Sequence, residues 1–211
     1  MVDGKYYRNG AGYDGVYNDV SGGDGSTIGV SLTLGEHQTA KELEIIVVEK
    51  QKWLLGENHP DTLLSMGNLA SSYSDLGEHQ KAKRLQAIVV EKRKQLLGNT
   101  HPGTLHSMGN LASSYSDLGE HEKAKELMNL VVEKQKQLLG ENHPGTLLSI
   151  GNLASSYSDL GEHQKAKELQ AIVVEKRKQV LGENHPDTLL SMGNLARLYS
   201  TLGEHTRLDG R

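Results

Sequence analysis

Cysteine is absent from the sequence of 211 residues, which excludes disulfide frameworks, thiolate nucleophiles, zinc ribbons and iron–sulfur clusters. A strong net charge is also absent, because 23 lysines and arginines stand against 27 aspartates and glutamates and leave a formal charge of −4. A chain this close to neutral has no large electrostatic field to attract nucleic acid or an anionic membrane surface. We therefore expect neither of them as a partner.

Long apolar segments are missing as well. The longest fully apolar runs, such as residues 45–48 and 87–90, reach only a few residues, whereas a membrane-spanning helix needs roughly 20. The first residues, 1–8, lack the basic and then apolar pattern of a secretory signal. The sequence therefore predicts an intracellular, cytoplasmic protein that does not cross a membrane.

Proline occurs only four times, and its placement reveals an internal repeat. Every proline follows a histidine, and these His-Pro pairs advance along the chain in steps of 42 residues. The tripeptide Gly-Glu-His advances by the same step, and blocks two units apart are more alike than neighbouring blocks, which suggests duplication of an 84-residue pair. The pairs begin at His59, His101, His143 and His185, and the tripeptides begin at Gly35, Gly77, Gly119, Gly161 and Gly203.

Each 42-residue unit predicts two amphipathic helices, a first and a second. Pro60 suits the opening position of the first helix, apolar residues follow at spacings of three and four, and Gly77 ends it. The second helix covers about residues 79–97. The chain thus predicts a lone second helix at about 37–55, three complete pairs, and a lone first helix at about 187–202. Neither helix can bury its apolar stripe alone, so the pairs must stack into an all-α solenoid with a continuous core.

The residues of one unit resemble a known family. Asn-Leu-Ala-Ser-Ser-Tyr at residues 68–73, followed by Leu76-Gly77 and then Ala82, is similar to the tetratricopeptide repeat. The 42-residue period resembles the long, kinesin light chain-like form. The resemblance implies a right-handed superhelix of stacked antiparallel helix pairs that binds a protein or peptide. It also shows a departure, because the family usually carries an aromatic residue where this chain has Glu44, Gln86, Met128 and Gln170.

The two ends of the chain depart from the repeat. Residues 19–33 occupy the place of a first helix, but their glycines and β-branched residues oppose helix formation. We expect residues 1–33 to form a flexible segment rich in glycine and tyrosine, residues 34–205 to form the solenoid, and residues 206–211 to form a short tail. The aromatic residues of the first segment could alternatively fold back over the exposed first element of the solenoid.

The histidines and serines predict no metal site, cofactor or catalytic centre. Nine of the ten histidines fall at two repeat positions, at opposite ends of the first helix and roughly 22 Å apart at 1.5 Å per residue. The serines recur in every unit, whereas a catalytic site is a single constellation. The glycine-rich residues 22–27 lack the lysine that a phosphate-binding loop requires. We therefore expect a protein that is not an enzyme.

The remaining surface of the first helices predicts a binding groove. The resemblance implies that the first helices line a concave face, and the positions on that face here are small and polar. An asparagine amide both donates and accepts hydrogen bonds, which matches a peptide unit of a ligand. The predicted peptide-binding residues are Asn68, Ser71, Asp75, Asn110, Ser113, Asp117, Asn152, Ser155, Asp159 and Asn194, together with His106.

The aspartates of this set leave two interpretations open. An acidic residue near a helix C-terminus opposes the helix dipole by roughly 0.3 to 1 kcal/mol, so its repeated use suggests another purpose. The aspartates could form a negative rail for lysine or arginine of a peptide, or they could bond to the start of the next helix.

The sequence as a whole predicts a non-enzymatic scaffold that binds a protein or peptide along its concave face. Three alternatives remain. The polar face could be solvated and unoccupied. The uncovered end helices could stack head to tail into homo-oligomers. The chain could also be the repeat tail of a larger sensor or adaptor.

Overall fold

The computed structural model describes residues 25–209, with side chains from residue 36 to residue 203. This part of the chain contains eight α-helices and no strand, and each helix packs against the next in chain order. The predicted all-α solenoid is therefore confirmed. None of the described helices is long and apolar enough to cross a membrane. The helices are α1 (Gly25–Leu55), α2 (Pro60–Asp75), α3 (His79–Leu97), α4 (Pro102–Ser116), α5 (His121–Leu139), α6 (Pro144–Asp159), α7 (His163–Leu181) and α8 (Pro186–Asp209).

Each first helix begins at a proline that a histidine side chain caps. In α6 the backbone N–H of Gly145 donates to Nδ1 of His143 at 3.1 Å, and Pro144 needs no hydrogen bond because it has no N–H. The same bond recurs at the start of α2, α4 and α8. The histidines before proline therefore act as helix caps.

Glycine closes each complete first helix and reverses the chain. Gly77 has a φ of +74°, a conformation that glycine adopts without steric cost. The N–H of Glu78 then donates to the carbonyl of Tyr73 at 2.8 Å, which satisfies one of the free carbonyls at the end of α2. This tight turn brings α3 back along α2.

Two clusters of buried apolar residues form the core from α1 to α7. At the N-terminal end Val48, Leu63, Met66, Leu69 and Val89 pack in one cluster that joins α1, α2 and α3. A second cluster continues from α3 to α7. Replacing one such buried leucine with alanine typically lowers the free energy of unfolding by about 2 to 5 kcal/mol. The contacts between neighbouring helices therefore stabilise the stack.

Charged side chains reinforce the edge of the stack where first helices end. Glu120 accepts hydrogen bonds from Lys83 at 2.7 Å and from Lys123 at 2.6 Å, and both lysines lie within 6 Å of the Tyr115 ring. These hydrogen bonds lower the pKa of Glu120. Equivalent groups surround Glu78 with Lys41 and Lys81, and Glu162 with Lys125 and Lys165.

Both terminal helices are longer than the sequence predicts. Helix α1 begins at Gly25, so residues 25–33 extend this second helix and form no separate first helix. Residues 25–33 contain no proline. Extending a helix that already exists avoids the cost of nucleation, and this advantage outweighs the weak helix propensity of these residues. The predicted flexibility of residues 1–24 concerns residues outside the described part.

Helix α8 continues through Gly203 to Asp209, although the sequence predicts an end near residue 202. Gly77 and its interior equivalents have a positive φ, and a second helix follows each of them. Among the described residues no helix follows α8, and the helix continues through Gly203 without a turn.

Candidate functional site

A cavity of about 400 Å³ lies between α4, α6 and α8, with residues of α5 and α7 at its base. It gathers polar side chains from successive first helices, which are two helices apart in the chain. The predicted residues Asn68, Ser71, Asp75, Asn110 and His106 lie outside its lining. The predicted residues that line it are Ser113, Asp117, Asn152, Ser155, Asp159 and Asn194.

The repeated asparagines keep their amides open to a ligand. Asn110 and Asn152 are half-buried and Asn68 is exposed. Among the described residues, none forms a hydrogen bond with these three side-chain amides. The fourth amide differs, because Oδ1 of Asn194 accepts a hydrogen bond from Nη2 of Arg197 at 3.1 Å.

The serines next to the asparagines present acceptors rather than donors. The hydroxyl of Ser155 donates to the carbonyl of Gly151 at 3.4 Å, one turn earlier in α6. Ser71 and Ser113 make the same long bond in α2 and α4. A hydroxyl engaged in this way keeps its oxygen lone pairs free, so these serines can accept an N–H from a bound chain.

The aspartates connect neighbouring units. Oδ2 of Asp117 accepts a hydrogen bond from the hydroxyl of Ser74 at 2.5 Å and lies 3.8 Å from Nδ1 of His79. Asp159 lies at a similar distance, 3.9 Å, from Nδ1 of His121. His79 is the first residue of α3 and His121 is the first residue of α5. Each aspartate therefore contacts the start of a second helix, but this helix belongs to the preceding unit and is not the next helix in the chain.

Arginine contributes to the cavity in a way that the sequence did not indicate. Nη1 of Arg93 donates to the carbonyl of Gly103 at 2.9 Å and to the hydroxyl of Ser107 at 2.7 Å. Arg177 makes the equivalent bonds, is buried and lines the cavity. Burial lowers the pKa of both guanidinium groups.

His106 occupies a position that is leucine in the other first helices, at Leu64, Leu148 and Leu190. Partial burial of its ring lowers its pKa, and the positive charge of Arg93 lowers it further. Both effects disfavour the charged form of the imidazole. His106 therefore contributes a polar but mainly neutral ring near neutral pH.

The described side chains contain no group of three or more histidines, aspartates or glutamates that could hold a metal ion. The polar residues instead form rows that repeat from unit to unit. This arrangement is suited to binding an elongated partner by many similar contacts.

Comparison with known proteins decides the family. A family model described as the tetratricopeptide repeat matches residues 61–136, 110–171 and 151–207. The chain belongs to the tetratricopeptide repeat family. No curated protein sequence matches it significantly.

Solved structures of tetratricopeptide repeat type share this fold. One of them contains the nearly identical TPR-like repeats of a Podosopora anserina protein assigned as a kinesin light chain. Its sequence is 35% identical to this chain, 83% of each chain is covered, and the TM-score is 0.69. A variant of that protein with one substitution has the same identity and coverage and a TM-score of 0.71. BtubC from P. vanneervenii is 19% identical, with 85% of this chain and 71% of that chain covered and a TM-score of 0.68. Rap protein complexed with competence and sporulation factor is 13% identical, with 84% and 47% covered and a TM-score of 0.66.

The tetratricopeptide repeat units of this chain alternate between two kinds. Helix α7 combines Gln170 with Arg177, and Nε2 of Gln170 donates to the carbonyl of Ser191 at 3.0 Å. Helix α5 instead combines Met128 with Gln135, whose buried Oε1 has no hydrogen-bond partner among the described residues. The glutamine that replaces the family's aromatic residue therefore bonds to the backbone of a neighbouring helix.

Proposed function

We propose that this tetratricopeptide repeat protein is a non-enzymatic scaffold that binds an extended segment of a partner protein along its concave face. The observation that carries the proposal is the row of open amides at Asn68, Asn110 and Asn152. Each amide can donate to a carbonyl and accept from an N–H, so the row can pair with successive peptide units of an extended chain.

The charges around the cavity indicate how such a segment is oriented. Asp117 and Asp159 lie where α4 and α6 end, whereas Arg177 bonds to the first turn of α8. A helix of 16 residues is about 24 Å long, so Asp117 and Asp159 lie towards one end of the first helices and Arg177 lies towards the other. We expect a bound segment to place basic side chains near Asp117 and Asp159.

A solved structure of the same fold holds a bound partner. Rap protein, which has the same fold, is complexed with competence and sporulation factor. The proposal also includes the cytoplasmic location expected from the sequence. A role as the repeat tail of a larger sensor or adaptor remains a prediction.

Binding of a displayed library of extended peptides tests the proposal. We expect the triple variant Asn68→Ala, Asn110→Ala, Asn152→Ala to lose most of the binding of peptides selected on the wild type. Three lost hydrogen bonds at about 1 kcal/mol each correspond to a weakening of roughly 100-fold.

A matched control removes three repeated amides from the second helices, with Gln95→Ala, Gln137→Ala and Gln179→Ala. These glutamines are exposed on α3, α5 and α7, and none lines the cavity. The control is expected to bind as the wild type does. Equal binding by the asparagine variant, with unchanged circular dichroism, rules out the amide row as the binding element.

A further inference from the structure

The two ends of the solenoid expose apolar side chains that are buried in the interior units. Val47 on α1 is 44% exposed, whereas its equivalent in α3, Val89, is 1% exposed. Leu189 on α8 is 52% exposed, whereas its equivalent in α2, Leu63, is 1% exposed. Because the residue types are the same, the exposure reflects a missing neighbouring helix.

The helices missing at the two ends are of opposite kinds. Among the described residues, α1 is a second helix without the first helix of its own unit, and α8 is a first helix without its second. In the interior such a pair is formed by α2 and α3, where Leu63, Met66 and Val89 pack in one cluster. Helix α1 of a second copy would therefore supply the helix that α8 lacks.

The two end faces also carry the residues that form the interior interface. On α1 the exposed or half-buried residues Ala40, Leu43 and Val47 are identical to Ala82, Leu85 and Val89 of α3. On α8 the exposed residues Leu189, Ala196 and Tyr199 are identical to Leu63, Ala70 and Tyr73 of α2. Side chains that already fit each other within one chain are thus presented separately at its two ends.

We propose that this chain associates head to tail with a second copy, with α1 of one copy docked along α8 of the other. The contact joins two different surfaces, so it leaves a free face at each end and can add further copies. A single pair of helices makes a small interface, which is expected to give weak association that grows with concentration. The proposal uses no groove residue, so it can fail while peptide binding stands, or the reverse.

Light scattering or sedimentation of the full chain over a concentration series tests the proposal. We expect the weight-average mass to rise above the 23.1 kDa of one chain without reaching a plateau. A mass that stays at 23.1 kDa at all concentrations overturns the proposal. That outcome includes the case in which residues 1–24 cover α1.

Two end variants distinguish head-to-tail contact from symmetric contact. Val47→Glu blocks α1 and Leu189→Glu blocks α8, so each variant alone is expected to stay near 23.1 kDa. When they are mixed, the free α8 of the first can bind the free α1 of the second, and a one-to-one complex of twice that mass is expected. Dimerisation of either variant alone indicates a symmetric contact and overturns the proposal.

The chain offers a matched control beside each of these positions. Ile46 is 48% exposed on α1 and Leu190 is 50% exposed on α8, but their equivalents Ile88 and Leu64 are exposed in interior units too. Ile46→Glu and Leu190→Glu are therefore expected to keep the wild-type rise in mass. A loss as large as that of the end variants overturns the assigned interface. Circular dichroism confirms that all four variants remain helical.

Discussion

Nη1 of Arg177 in α7 donates a hydrogen bond to the hydroxyl of Ser191 in α8 at 2.7 Å. The same nitrogen donates to the carbonyl of Asp187 at 2.8 Å, and Arg93 binds Ser107 in the same way between α3 and α4. A buried positive charge thus joins the second helix of one unit to the first helix of the next.

Replacing this arginine is expected to weaken the stack. Arg177→Met keeps an apolar stem but removes two charge-assisted hydrogen bonds, and should lower the free energy of unfolding by about 2 kcal/mol. Urea unfolding followed by circular dichroism measures the change. Arg84→Met, at an exposed position on α3, is the control and should leave the free energy nearly unchanged. An equal effect at both positions contradicts the bridging role.

Introducing the same bridge where it is missing is expected to stabilise the protein. Gln135 stands at the equivalent position in α5, with a buried oxygen that lacks a partner in the described structure, and Ser149 is buried in α6 where the arginine's acceptor would be. Gln135→Arg should raise the free energy of unfolding by about 1 kcal/mol. Gln137→Arg adds the same charge at an exposed position and should have little effect. A gain that is the same for both variants would point to net charge as its cause.

Acid is expected to weaken the lysine–glutamate contacts at the edge of the stack. The pKa of Glu120 is lowered below its usual 4.5 mainly by hydrogen bonds from Lys123 and Lys83. A carboxylate with a lowered pKa contributes stability above its unfolded value, and this contribution is lost as the pH falls through the folded value.

The variant Glu120→Gln should therefore lose less stability than the wild type when the pH falls from neutral to below 4.5. Melting temperatures across this range measure the difference. Glu126→Gln is the control, because Glu126 is exposed and forms no ion pair among residues 36–203. Parallel pH curves for wild type and Glu120→Gln are incompatible with the contact.

His106 is expected to cause a second, separate dependence on pH. Its pKa is lowered from 6.5, so the unfolded chain binds a proton more readily than the folded protein. Stability should fall as the pH drops below 6.5 towards the lower folded value.

His106→Leu introduces the residue that the equivalent positions Leu64 and Leu148 carry. This variant should lose the part of the pH dependence that His106 causes. The gain of the variant over wild type should therefore be larger at about pH 5 than at about pH 8, as measured by melting temperature. A proton NMR titration of His106 reports the pKa directly. An unshifted titration would contradict the prediction.

The repeat architecture follows from residues that act locally. His143 and Pro144 start a helix, Gly161 turns the chain after it, and apolar residues at spacings of three and four face the core. Each of these effects depends on a few neighbouring residues, so one unit of sequence predicts one helix pair, and the period predicts the stack.

The contacts between units could not be predicted in this way. Asp117 bonds to Ser74, and Arg177 to Ser191, because stacking brings distant turns of separate helices together. The ends of α1 and α8 were also missed, because helix length there depends on which neighbouring helix is present. The asparagines lie at equivalent positions of successive first helices, while their role in binding stays a prediction.

Under the proposed function, the near-identity of successive units would give the concave face several equivalent registers for one partner. A segment displaced by one unit would then meet Asn110 and Ser113 in place of Asn68 and Ser71, so it could rebind one unit along before it dissociates. His106 and Arg197 interrupt this equivalence, since each replaces a residue that the other first helices share. Those two side chains are thus placed to tell one register from the next.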